Sequence, residues 1–309
     1  YEAAIEFLDK SLENGKYNRD IEARANFWKA EAWYRLGYFA KAVDGFNVFL
    51  RSPGAISLPE YQTAHYNLAY AYFKLKEYEN ASSWFRKYVT NNELNQSDKL
   101  ADAYNRLGDC YFVERDYDLA VSYYDRSYQL KLYDPDYALF QKAFCLGIQR
   151  ENEQKISSLR TLLQVFPKSQ YFDDALFELG RVYERENQQQ IAIGYYQDLV
   201  NEYPQSTFTP KALLQLGLIH YNSSEFKKSI KYYKQVAEEY PNSTESQAAL
   251  LGIKNNYVEL NDVDAYFEYT EKLGTGVHVS VSEQDSLTYL AAEKLFMAGD
   301  KKAKGQFES

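Results

Sequence analysis

The chain has little that interrupts a helix and little that performs chemistry. Its 309 residues hold 14 glycines and 7 prolines, too few for a protein built from tight turns and short strands. Two cysteines, Cys110 and Cys145, give no disulfide framework and no CxxC pair. The three histidines, His65, His220 and His278, are far apart, and no HExxH or Cys/His cluster with zinc spacing occurs. The expectation is no metal and no cofactor. GxSxG, Walker-type and GxGxxG motifs are missing as well, so no residue is assigned a catalytic role and no enzyme activity is expected. No apolar run approaches the ~18–20 residues that span a bilayer, so direct membrane insertion is not expected. Cationic patches are missing too. With 35 basic and 44 acidic residues, the formal charge is −9, which repels phosphate backbones and argues against nucleic acid as a partner.

What the chain does have is tyrosine, 31 residues, and a repeat. Phe166-Pro167-Lys168-Ser169, Tyr203-Pro204-Gln205-Ser206 and Tyr240-Pro241-Asn242-Ser243 place prolines 37 residues apart twice (204 − 167 and 241 − 204). A small residue recurs in the first helical pattern before each such break: Ala30, Ala69, Gly108, Ala143, Gly180, Gly217, Gly252 and Ala291. Leu stands one residue before this anchor at 68, 107, 179, 216, 251 and 290. An aromatic follows three residues later at Trp33, Tyr72, Tyr111 and Tyr183. Alanine follows after twelve residues at 42, 81, 120, 192 and 303, and an aromatic after sixteen at Phe46, Phe85, Tyr124, Tyr196, Tyr233 and Phe307. Offsets −4, −1, 0 and +3 share one helical face, where a small residue lets two helices approach. Asp134-Pro135 and Thr209-Pro210 read as helix caps followed by a first-turn proline.

This order of Leu-small-x-x-aromatic, Ala-x-x-x-aromatic and proline resembles the tetratricopeptide repeat. The resemblance implies an all-α fold, a right-handed superhelical α-solenoid of helix–turn–helix units. About eight repeats over residues 1–309 would form a single array, cut inside a repeat at both ends. A bend or long connection is expected at 274–286, around Gly274-Thr275-Gly276. Around Asp262–Tyr269 the second helix reads one residue out of phase.

A second stripe on each first helix, at offsets −6, −3, +1, +4 and +5, forms another face. The resemblance makes it the concave groove, where a partner polypeptide lies. Its candidate binding residues are Arg24, Phe27, Tyr34, Arg35, Tyr66, Tyr70, Phe73, Lys74, Phe112, Tyr137, Phe140 and Phe144. The competing reading is that these rings pack between repeats. No carboxylate pair stands out. The Tyr-Pro-x-Ser punctuation resembles bacterial envelope members of the family, outer-membrane assembly lipoproteins and cell-division coordinators. It implies a scaffold at a periplasmic or outer-membrane location that binds another protein or peptide segment. The alternative is the interaction arm of a larger enzyme or signalling protein.

Overall fold

A computed structural model describes residues 1–15, 18–273 and 280–297. Among the described residues there is no strand, and the chain runs through sixteen α-helices. The helices fall into two compact units, Tyr1–Tyr171 and Phe172–Ser309.

The first unit holds α1 (Glu2–Gly15), α2 (Arg19–Arg35), α3 (Phe39–Arg51), α4 (Glu60–Lys74), α5 (Tyr78–Asn92), α6 (Asp98–Val113), α7 (Tyr117–Leu130), α8 (Pro135–Ile148) and α9 (Asn152–Val165), with a 3-10 turn at Ala55–Ser57. The second holds α10 (Phe172–Arg185), α11 (Gln189–Glu202), α12 (Thr209–Asn222), α13 (Phe226–Glu239), α14 (Ser246–Glu259), α15 (Val263–Leu273) and α16 (Val281–Met297). Within each unit a helix packs chiefly on the helices before and after it, and first helices also touch the next first helix, as α2 touches α4 and α12 touches α14. This is the tandem α-solenoid arrangement that the repeat implies.

The turn inside each pair has one geometry. Gly37, Lys76, Arg115, Arg150, Asn187, Ser224 and Asn261 all take positive φ, between 54° and 81°. Around Gly37, its own N–H bonds to the Tyr34 carbonyl and the Tyr38 N–H reaches back to that of Trp33, both at 3.0 Å. This paired closure ends a helix on a left-handed residue. The turn residue follows the anchor by seven in the first six pairs (37 − 30 through 224 − 217).

That geometry corrects the last two anchors. Asn261 places the seventh anchor at Lys254, two residues beyond Gly252, and Leu251 is 53% exposed rather than buried. Tyr257 then occupies the aromatic +3 offset. In α16 the buried Leu287, Ala291, Ala292 and Leu295 place the anchor at Ala292, and Leu290 is 49% exposed. Small residues at 252 and 291 imitate the anchor without its neighbours.

The anchor is a seat for the aromatic sixteen residues on. A Cβ built on Gly108 would lie 2.5 Å from the Tyr124 ring, and one on Gly217 would lie 2.4 Å from Tyr233. Where the second helix offers Phe46 or Phe85 instead, the anchor is Ala30 or Ala69. Glycine at the anchor thus goes with tyrosine at the sixteenth position, and alanine with phenylalanine.

The serine of the Tyr-Pro-x-Ser break has a structural role. Ser169 Oγ donates to Asp136 Oδ2 at 2.6 Å, and Ser206 Oγ donates to Asp173 Oδ2 at 2.5 Å. The same hydroxyls accept the N–H of Tyr171 and of Phe208. Ser243 has no such partner, because position 210 (173 + 37) is proline. Helix α12 starts at Thr209 itself, so the cap there is Phe208, and Thr209 Oγ1 donates instead to the Tyr203 carbonyl at 2.6 Å. Asp134 does cap α8, though without a side-chain hydrogen bond. Of the expected connection at 274–286, residues 274–279 lie outside the described residues, and the chain is helical again from Val281.

Candidate functional site on the first-helix faces

In the first unit the stripe at the binding offsets is organised around charge. Asp102, Arg106 and Asp109 stand on one face of α6 at i, i+4 and i+7. Arg106 lies 3.4 Å from Asp102 and donates to Asp109 at 2.5 Å. Four phenols complete the cluster. Tyr66 donates to Asp102 at 2.6 Å, and Tyr70 donates to the same oxygen. Tyr124 and Tyr137 donate to Asp109 Oδ1 at 2.7 and 2.6 Å. The guanidinium also lies 5.3 Å from the Tyr137 ring centroid and 5.9 Å from that of Phe73. Four helices, α4, α6, α7 and α8, meet in this network.

Burial pushes the Asp109 carboxyl up, and the Arg106 charge pulls it back part of the way. Burial alone would weaken the Arg106 charge. Asp109, followed by the surrounding phenols and Asp102, outweighs it, and the guanidinium stays protonated above its ordinary range. Each carboxylate therefore has a cation and two phenol donors, which is what a buried charge requires.

The candidate rings divide accordingly. Phe27 is 3% exposed and packs on Phe46 and Phe49 at 5.8 and 5.3 Å. It belongs to the core, a correction to its place among the binding residues. Offset −3 of α2 turns inward because Ala23, Ala30 and the second-helix rings close around it. Tyr66 and Tyr70 lie against Phe85, at 6.1 and 5.3 Å, with their hydroxyls committed to Asp102. Tyr137 is similarly tied to Asp109, and Phe140 stacks on Tyr171 at 5.1 Å. Tyr34 meets Phe39 edge-on at 5.4 Å, and Phe73 meets Tyr78 at 5.5 Å. Arg24 reaches Glu60 at 3.6 Å and Arg35 reaches Glu31 at 2.8 Å, while Lys74 is exposed.

What stays open is apolar. Phe144 and Ile148, at offsets +1 and +5 of α8, are each 44% exposed, and Val113, at +5 of α6, is 50% exposed. Phe112 bridges them, with its ring 5.8 Å from that of Phe144. Val113 and Ile148 were legible as stripe positions, although they are not among the candidate binding residues. So were Asp102 and Asp109, at −6 and +1 of the third repeat. The signal for their cluster was the Asp-x3-Arg-x2-Asp spacing.

In the second unit the same offsets line a pocket of about 250 Å³ between α12 and α14. Leu214, Leu218, Tyr221, Leu251 and Gly252 form its walls, with Tyr233 below. Gly252 is therefore a close-approach residue for the Tyr233 ring, 2.5 Å from where its Cβ would stand.

His65 and His220 are buried, and His220 stacks on Tyr232 and pairs through Nδ1 with Glu225 at 2.6 Å. His278 lies outside the described residues. Among the described residues no group of three or more His, Cys, Asp or Glu is arranged to hold a metal, and no helix is long and apolar enough to cross a membrane. Cys110 and Cys145 are buried free thiols.

Comparison with known proteins accords with this geometry. Two tetratricopeptide-repeat profiles match, one at residues 62–93 and 101–133 and the other at 174–206 and 211–243. No curated protein sequence matches. Among solved structures, the C-terminal part of a TPR repeat-containing protein from Cytophaga hutchinsonii superposes with a TM-score of 0.64 at 16% identity, covering 81% of this chain and 94% of its own. A tetratricopeptide repeat protein from Parabacteroides merdae gives 0.51 at 14% identity, covering 80% and 91%. YrrB, described as a TPR protein with an unusual peptide-binding site, gives 0.51 at 18%, covering 66% and 96%. The helix pairs, their seven-residue turn spacing and these matches together identify the chain as one that carries tetratricopeptide repeats.

Proposed function

We propose that the chain is a non-catalytic scaffold that holds a segment of another polypeptide against its first-helix faces. Tetratricopeptide repeats generally mediate protein–protein interaction, and YrrB is a repeat protein described by its peptide-binding site. The observation that carries the reading is the exposure of Phe144, Ile148 and Val113 at offsets +1 and +5. The core of each repeat is already filled by other residues, and these side chains keep about half of their surface open. The pocket lined by Leu218 and Leu251 at the same face of the second unit supports it. The charge cluster ties α4, α7 and α8 to α6 through phenols held from neighbouring helices, and a face ordered in advance lowers the ordering cost of binding.

We further propose a bacterial envelope assembly as the setting, on the periplasmic side or at the outer membrane. The support is the Tyr-Pro-x-Ser punctuation at 203–206 and 240–243, which resembles that of repeat proteins of that kind. Selection from a displayed peptide library tests the binding reading. The full chain should enrich apolar peptides that the Phe144→Glu variant does not retain. Enrichment identical for both proteins would remove the first-helix face of the first unit from the function.

A further inference from the structure

A cationic cleft of the first unit lies away from the first-helix stripe. It has a volume of about 880 Å³ and opens between the second helices α3 and α5, with α4 beneath. Arg51 ends α3 on one side, and Arg86 and Lys87 stand on α5 on the other. No acidic side chain lines it among the described residues, in a chain whose formal charge is −9. Arg86 is influenced by Glu114. Neither Arg51 nor Lys87 has an ion-pair partner among the described residues.

The floor is polar and aromatic at once. The His65 ring is 6% exposed, set edge-on to Tyr61 at 4.9 Å and stacked on Trp84 at 5.5 Å. Its Nδ1 has no hydrogen-bond partner, and neither has Gln62 Oε1 beside it. Burial, then the Lys87 charge, hold the His65 ring towards its neutral form. It can therefore meet a neutral polar group such as a peptide unit. Lys87 Nζ sits 3.7 Å from the Trp84 ring centroid, and Ile56 is exposed at the rim.

We propose that this cleft is a second docking site, for an acidic segment of a partner polypeptide that carries apolar side chains between its carboxylates. Cations on both walls set the charge of the occupant, and Trp84 and Ile56 between them call for apolar surface. The volume is in the range of a ligand site rather than of a single bound anion. The cleft is independent of the first-helix faces and stands if they prove inactive.

Fluorescence anisotropy with a labelled short peptide of alternating glutamate and leucine, titrated with the full chain at low salt, tests the proposal. Binding is expected, weakening as salt is added. The double variant Arg51→Glu, Lys87→Glu should bind at least about tenfold more weakly, because reversed charges repel the carboxylates. Both side chains are exposed, so the melting temperature should stay put. Val165→Glu, at an exposed position of α9 outside both faces, should leave the affinity unchanged. Equal affinity in the double variant, equal binding of a lysine–leucine peptide, or no binding at all would overturn the proposal. Complete displacement by inorganic phosphate would reduce the cleft to a small-anion site. Tighter binding of a single-stranded oligonucleotide would replace the peptide with another class of ligand.

Discussion

Replacing Arg106 with methionine tests whether the α6 network carries the stability of the first unit. The three charged side chains are 19%, 5% and 13% exposed for Arg106, Asp102 and Asp109. Breaking a buried ion pair from one side costs about 3–5 kcal/mol. The four phenol donors remain on the carboxylates, so the loss should fall near the lower end, about 3 kcal/mol. For a unit of this size that corresponds to a melting point lower by roughly 6–12 °C. All three tryptophans, Trp28, Trp33 and Trp84, lie in this unit, so urea titration followed by tryptophan fluorescence reports on it alone. The loss should also depend on pH. Without Arg106, the already raised Asp109 carboxyl loses the charge that pulled it down. The folded variant then keeps a proton that the unfolded chain releases near pH 4, so its stability falls as pH rises through that window. The deficit should be larger at pH 7.5 than at pH 5. A loss below about 1 kcal/mol, or one that does not change between these pH values, would refute the reasoning.

Three other outcomes follow from the same geometry. Burial first, then Asp173 and Glu178, push Asp174 up to about 6, above its unfolded value of about 3.9. Stability from this group is therefore lost as pH rises through that interval, and Asp174→Asn should raise the midpoint of the second unit by circular dichroism at pH 7.5 but hardly at pH 4. Ser206→Ala should cost about 1 kcal/mol in chemical denaturation because it strands Asp173, whereas Ser243→Ala, whose hydroxyl has no partner, should cost almost nothing. Burial raises both thiols, that of Cys145 to about 12, so a thiol reagent at pH 8 should label neither in the native protein and both in urea.

The repeat was legible because it rests on spacing. Anchor and ring sit sixteen residues apart, and Gly108 with Tyr124 or Ala30 with Phe46 record their contact directly in residue size. Small residues alone were a weaker guide. Gly252 is small because Tyr233 crosses it from the preceding repeat, and it drew the seventh anchor two residues out of place. The binding face was legible as a stripe but not in its division of labour. Phe27 and Phe144 occupy neighbouring offsets and similar chemistry, yet one is enclosed by Phe46 and Phe49 and the other faces solvent. Tyr66 and Tyr70 turned out to be committed because Asp102, 36 and 32 residues away, accepts both hydroxyls. That partnership needs adjacent repeats in register. The cleft above His65 was beyond sequence reasoning, since Arg51, His65 and Lys87 meet only when three helices pack.

The central claim is that a polypeptide is held by the apolar side chains at offsets +1 and +5. Its most direct test is the affinity of a library-selected peptide for the Ile148→Glu chain, measured by anisotropy beside the melting temperature. Ile148 is 44% exposed, so the fold should be unaffected, while a charge placed in the contact should weaken binding more than about tenfold. Unchanged affinity at an unchanged melting temperature would contradict the account.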